Sequence, residues 1–196
     1  MWCLTACGLP AVSDSQSFPF ESKTHPKLWD ASWSVQERFS QLDVQDVVEF
    51  ARMRGIRVMV EWDTPGHAAS WCKGYPEVCP SPTCTQPLNP ASPKTFELIE
   101  ALLGECTGKV KLGGLFPESM IHLGGDEVNT KCWASSPSIM AWLQARNLTT
   151  DGGYGYFVNR ASSSRTHCRP CCCPPCLPAT KGATLCTVPT SAPEPD

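Results

Sequence analysis

Apolar residues recur at two different periods along the middle of the chain. Val44, Val47, Val48 and Ala51 fall at i, i+3, i+4 and i+7, the spacing of one helical face. Asp43 stands where it can cap that helix, and Gly55 where it can stop it. The run Ile56 to Asp63 then changes period: it is β-branched and apolar, of strand length, and ends at Thr64-Pro65-Gly66. A Pro- and Cys-rich loop is predicted from Cys72 to Pro90. Ser92-Pro93 opens a second helix whose inner face is Phe96, Ile99, Leu103 and Cys106. Met120 to Leu123 reads as a short strand running into Gly124-Gly125-Asp126-Glu127. Ser136-Pro137 opens a third helix, with Ile139, Trp142 and Leu143 turned inward.

Strands alternating with helices of this length predict parallel strands joined by right-handed crossovers, an α/β fold. The polar residues cluster just after the strands: Asp63 and His67 after the first, Asp126 and Glu127 after the second. In α/β folds the C-terminal strand edge carries the chemistry, in closed barrels and in open sheets alike. The pattern itself leaves those two architectures open. Residues 1–12 show no assignable pattern, residues 13–160 read as folded protein, and residues 161–196 read as a disordered Cys/Pro-rich tail. The tail has almost no aliphatic periodicity, so no buried surface would offset the entropy of ordering it.

Composition narrows the function classes. The chain has 196 residues, with 16 Lys+Arg against 19 Asp+Glu and a net charge of -3. No basic field favours nucleic acid or an anionic membrane, and no apolar run is long enough for a spanning helix. The 13 cysteines are the unusual feature. Such density favours an oxidising compartment or a metal site. The triplet Asn147-Leu148-Thr149 agrees with a secretory route. Met1-Trp2-Cys3-Leu4 lacks a basic segment and a long apolar run, so no signal peptide is predicted there. In the tail, Cys168, Cys171, Cys173 and Cys176 beside His167 have zinc-compatible spacings. Only one residue separates the two pairs, however, and the flanking prolines resist the turns a zinc knuckle needs.

Two stretches could do chemistry. In His122-Leu123-Gly124-Gly125-Asp126-Glu127, two glycines let the chain leave a strand, so that both carboxylates can turn toward one cavity. Close carboxylates repel, and one of them is then held protonated as a general acid. The plainer reading is a solvated loop pair or a helix cap. In Glu61-Trp62-Asp63-Thr64-Pro65-Gly66-His67, a Pro-Gly turn brings a histidine back over a strand end. The plainer reading there is a surface turn. A metal-dependent hydrolase built on Asp63, His67, His122 and Asp126 is a weaker alternative, because the chain holds only four histidines.

These stretches, with Asp46 to Val58 and Asp14 to Phe20, resemble the β-N-acetylhexosaminidases of glycoside hydrolase family 20 in order and spacing. The resemblance runs from about Ser13 to Arg160 and implies part of a (β/α)₈ barrel, which typically needs about 250 residues. It implies a retaining hydrolase of glycans ending in N-acetylglucosamine or N-acetylgalactosamine, in which the substrate's 2-acetamido group is the nucleophile. By position, Glu127 would be the general acid and Asp126 would hold the acetamido N–H. Asp14 and His67 would contribute to the substrate site, with Asp63 and His122 supporting it. Cys84 and Cys132 sit where the family has a disulfide, and Cys72 with Cys79 could form a second, local bridge.

No metal and no organic cofactor is implied. Family members are often dimers, and the cysteines and the triplet point to a lysosome, vacuole or extracellular space. The family's His-x-His strand is replaced by Ala6 to Val12, and the downstream pocket residues by the tail. A truncated chain with little or no activity is therefore expected, with a non-catalytic relative as the main rival.

Overall fold

A computed structural model describes residues 7–9, 13–107, 115–117, 120–163 and 185–187, with the backbone alone for 7–9, 120 and 185–187. Strand β1 (Cys7–Leu9) pairs in parallel with β2 (Val58–Val60), Cys7 opposite Val58 and Leu9 opposite Val60. Beyond β2 the chain stays extended, and a parallel bridge between Glu61 and His122 joins it to β3 (Met120–His122). Helix α1 (Gln41–Arg52) lies between β1 and β2 in the chain, and α3 (Pro93–Thr107) between β2 and β3. The expected parallel crossover order is therefore present. Among the described residues the strands form an open array, and no barrel closes.

Several sequence expectations are corrected. Ser40, and not Asp43, caps α1: its hydroxyl accepts from the Asp43 N–H, while Asp43 reaches back to the Ser40 N–H. The acid occupies the third position of a capping box, where it satisfies a second orphan donor. Val47 is 48% exposed, because the buried stripe is Val44, Val48 and Ala51 joined by Gln41. Trp142 is half-buried and stands edge-on to Tyr156 at 5.0 Å, whereas Ile139 and Leu143 are fully buried.

Helices also form where none was predicted: α2 (Trp71–Gly74) in the Cys-rich loop, α4 (Lys131–Ala134) soon after β3, and a longer one beyond the third predicted helix. The third predicted helix is α5 (Pro137–Gln144). It is followed by α6 (Thr150–Ser163), whose buried Phe157 and Ala161 carry the fold across the boundary expected at Arg160. A strand, β4 (Leu185–Thr187), pairs antiparallel with β3, so the segment 161–196 contains both a helix end and a strand. The cysteines from Cys168 to Cys176 lie outside the described residues.

The core that supports the strand ends is aromatic. Trp62 stacks on Phe18 at 5.8 Å and meets Phe20 and Trp71 edge-on. Strand alternation places Val58, Val60 and Trp62 on this buried face, and leaves Met59, Glu61 and Asp63 on the other, half-exposed. Helix α3 buries Phe96, Ile99, Leu103 and Cys106 as predicted, together with Leu98 and Leu102. At about 1.5–3 kcal/mol for each large apolar side chain, that face supplies most of the helix's hold on the sheet.

One buried carboxylate ties α3 to the strap that carries Asp14. Glu105 accepts from Ser22 Oγ at 2.7 Å, the Lys23 and Thr24 N–H groups at 3.0 and 2.8 Å, and Gln41 Nε2 at 2.8 Å. Such a charge is tolerable only because every lone pair is used. No helix among the described residues is long and apolar enough to cross a membrane.

Candidate active site

Three chain segments meet beyond the ends of β2 and β3. The first is the turn at Asp14, whose N–H donates to Ser17 O at 2.9 Å and whose carbonyl accepts from Ser70 Oγ. The second is Asp63 to His67, which leaves β2 through Thr64-Pro65 and places His67 at φ 41°. The third is Gly124 to Glu127, which leaves β3 with φ 56° and 96° at the two glycines and 55° at Glu127. A Cβ on Gly124 would lie 2.6 Å from Asp63 Cα, so only glycine lets these two strand exits approach.

The second exit is held from both sides. Asp63 Oδ1 accepts from the Gly125 N–H at 2.9 Å, and the hydroxyl of Tyr154 donates to the Gly125 carbonyl. Both backbone polar groups of Gly125 are thereby held, its N–H by the exit of β2 and its carbonyl by α6, just before the two carboxylates. Tyr154 carried no sequence signal: it lies 29 residues from Gly125, on a helix that glycine-rich local propensity does not predict. Burial, followed by the nearby charges of Asp126 and Asp63, raises the Tyr154 phenol above its ordinary value, so it stays a donor.

His67 is the hub. Its Nδ1 lies 3.4 Å from Asp14 Oδ1, and its Nε2 lies 3.4 Å from Glu127 Oε2. Desolvation pulls the imidazole's pKa down, but the carboxylates of Asp63, Asp14 and Glu127 outweigh it and the net shift is upward. The two ring nitrogens thus face carboxylates of two different segments, although the Glu127 side chain is 77% exposed. Asp63 shifts upward as well. Burial is the main cause, opposed by the Gly125 N–H and His67 and reinforced by Asp126 and Glu61. The hydrogen-bonded partner of Asp63, Gly125, lies just beyond the end of β3.

Asp126 is exposed beside Glu127. His122 takes a different place: its Nδ1 lies 2.8 Å from Glu61 Oε1, one level below the strand exits. Asp63, His67, His122 and Asp126 therefore do not converge, and no described cluster of three or more His, Cys, Asp or Glu could hold a metal ion. A cavity of about 260 Å³ opens beside the hub, lined by His67, Gln86, Glu127, Asn129 and Lys131. Its wall is stapled by the disulfide Cys84–Cys132, and Cys72–Cys79 closes the loop behind it. Cys106 has a different character: burial pushes its thiol up to about 12, which leaves it an inert core group.

Acids and an imidazole are thus gathered at parallel strand ends beside a polar cavity, an arrangement that can hold and transfer protons. Glycosyl hydrolase family 20, catalytic domain, matches residues 11–168, and the chain belongs to this family of glycosidases. It is 46% identical over 150 residues to beta-hexosaminidase 1 of Arabidopsis thaliana, covering 76% of this chain and 27% of that protein. It is 38% identical over 148 residues to human beta-hexosaminidase subunit beta, covering 71% and 26%. Among solved structures it resembles the chitobiase of Flavobacterium johnsoniae, with a TM-score of 0.67 and 30% identity over 78% of this chain and 24% of that one. The chain thus spans about a quarter of the length of the relatives it matches.

Proposed function

We propose that this chain carries the proton-transfer centre of a β-N-acetylhexosaminidase, acting on glycans that end in N-acetylglucosamine or N-acetylgalactosamine. In this reading β1, β2 and β3 are successive strands of a (β/α)₈ barrel, and the site lies at the strands' C-terminal ends. Glu127 protonates the glycosidic oxygen as the bond to carbon one breaks, then takes a proton from the incoming water. The nucleophile is the substrate's own acetamido oxygen, which closes onto carbon one to give an oxazolinium-like intermediate. Asp126 accepts from the acetamido N–H and so turns that oxygen toward carbon one. His67, held by Asp14, keeps Glu127 directed at the departing oxygen.

The single observation that carries this reading is the Asp14–His67–Glu127 chain, 3.4 Å at each link, beside the cavity. A solvated loop pair would not need a histidine placed between two chain segments by a positive φ. The two disulfides support a lysosomal, vacuolar or extracellular location, because such bonds persist only in oxidising compartments.

The test compares a 4-nitrophenyl N-acetyl-β-glucosaminide with an unactivated disaccharide. Glu127→Gln should cost about 10²–10⁴-fold in kcat on the disaccharide and far less on the nitrophenyl substrate, whose leaving group needs little protonation. Turnover by this chain alone is expected to be slight. The same variants are therefore followed by NMR titration with N-acetylglucosamine, which reports the site without turnover. Equal losses on both substrates, or no shift of the Gly125 and His67 signals, would count against the assignment.

A further inference from the structure

The turn between α5 and α6 has a chemical feature that the hydrolase reading does not use. Asn147 ends α5 at φ 55°, and its N–H donates to Gln144 O at 3.0 Å. Asparagine tolerates this left-handed position, so a helix stop accounts for its backbone. It does not account for the side chain, which is exposed and makes no hydrogen bond among the described residues. The next two residues are occupied. Leu148 packs against Trp133, Ile139 and Leu143, and Thr149 Oγ1 accepts from the Gly152 N–H at 3.1 Å to start α6. Leucine turns in, threonine caps, and the amide of Asn147 alone is offered to solvent.

We propose that Asn147 is an N-glycosylation site. Asn147-Leu148-Thr149 is the acceptor triplet, and it is the one such triplet in the chain. The co-substrate is a polyisoprenyl-diphosphate oligosaccharide whose first sugar is N-acetylglucosamine. The bond from that sugar's anomeric carbon to the diphosphate oxygen breaks, and a bond to Asn147 Nδ2 forms. The amide loses one proton, and the lipid diphosphate leaves with the electron pair. The product fits the fold, because an exposed turn can carry a bulky polar group without displacing packed atoms.

The glycan would also stand at the catalytic end of the fold. Tyr154, which reaches the Gly125 carbonyl, lies only four residues into α6, about 6 Å along its axis from Thr150. The proposal rests on the secretory location and is independent of the hydrolase chemistry.

The experiment is cell-free translation of the full chain behind a cleavable secretion signal, with rough microsomes. Only protease-protected chains are scored. The wild-type chain should lose one glycan-sized mobility step on amidase treatment, and tryptic peptide 147–160 should show conversion of Asn147 to aspartate with heavy oxygen from the solvent. Thr149→Ser, which keeps both the triplet and the cap, should behave the same way. Asn147→Gly, which suits the positive φ, and Thr149→Ala should show neither signal. Protected wild-type chains with an unmodified Asn147 peptide would overturn the proposal, as would a mobility step that survives in Asn147→Gly. Neither result bears on Glu127.

Discussion

His67 shows how a few ångströms decide what a residue does. Its turn would leave an ordinary surface imidazole, and desolvation alone would favour the neutral ring. Three carboxylates on separate segments reverse that balance. NMR titration should therefore find His67 ionising above its ordinary value near 6.5, and Asp14→Asn should bring it down. The sign for stability follows. Because the folded pKa is the raised one, the contribution of His67 is fully present below the unfolded value and is lost as pH rises through the folded one. A His67 signal at or below 6.5 in the wild-type chain, or one unmoved by Asp14→Asn, would remove the imidazolium link from the site.

Elements decide how firmly that residue geometry is held. Gly125 is gripped at its N–H by Asp63, just beyond β2, and at its carbonyl by Tyr154 of α6. Tyr154→Phe should cost roughly 0.5–1.5 kcal/mol in urea denaturation and speed amide exchange at Gly125, since one partly buried bond is lost while the ring still packs. Unchanged exchange would show that Asp63 alone sets the turn. At α1 the capping box is the local determinant. Ser40→Ala should cost about 1 kcal/mol, and Asp43→Ala less, since it leaves the Ser40 hydroxyl on the Asp43 N–H. The reverse ranking would restore Asp43 as the principal cap. The helices that pattern did reveal are α1, through its apolar stripe, and α3 and α5, which add a proline at the first turn. Helix α6 escaped because Gly152, Gly153 and Gly155 lower its propensity, and packing of Phe157 and Ala161 overrides that cost.

At the scale of the whole molecule, the cavity wall depends on a long-range covalent tie. Cys84–Cys132 closes a sequence separation of 48 residues, against 7 for Cys72–Cys79. In the chain-entropy view the longer loop contributes more. Cys84→Ser should lower stability by about 2–4 kcal/mol and Cys72→Ser by less, read from denaturation under non-reducing conditions. A larger loss in Cys72→Ser would place the main constraint in the local loop. The buried Glu105 network acts at the same scale, because it joins α3, α1 and the strap before α1 through one carboxylate. Outside these ties the exposed face of α1 and its C-terminal cap mix charged residues with large apolar ones, Leu42, Phe50 and Met53 being at least 60% exposed.

The amino-acid order by itself determined the alternation of strand and helix, the two polar strand exits, and the family to which the chain belongs. Those features are written in periods and short spacings, which need no knowledge of distant contacts. Tertiary structure alone decided that His67 bridges Asp14 and Glu127, that His122 pairs with Glu61 below the site, and that Tyr154 holds Gly125. Each of these joins residues from separate segments. Their energies depend on burial and on distances of about 3 Å, which arise only when the sheet, α6 and the strap are packed together.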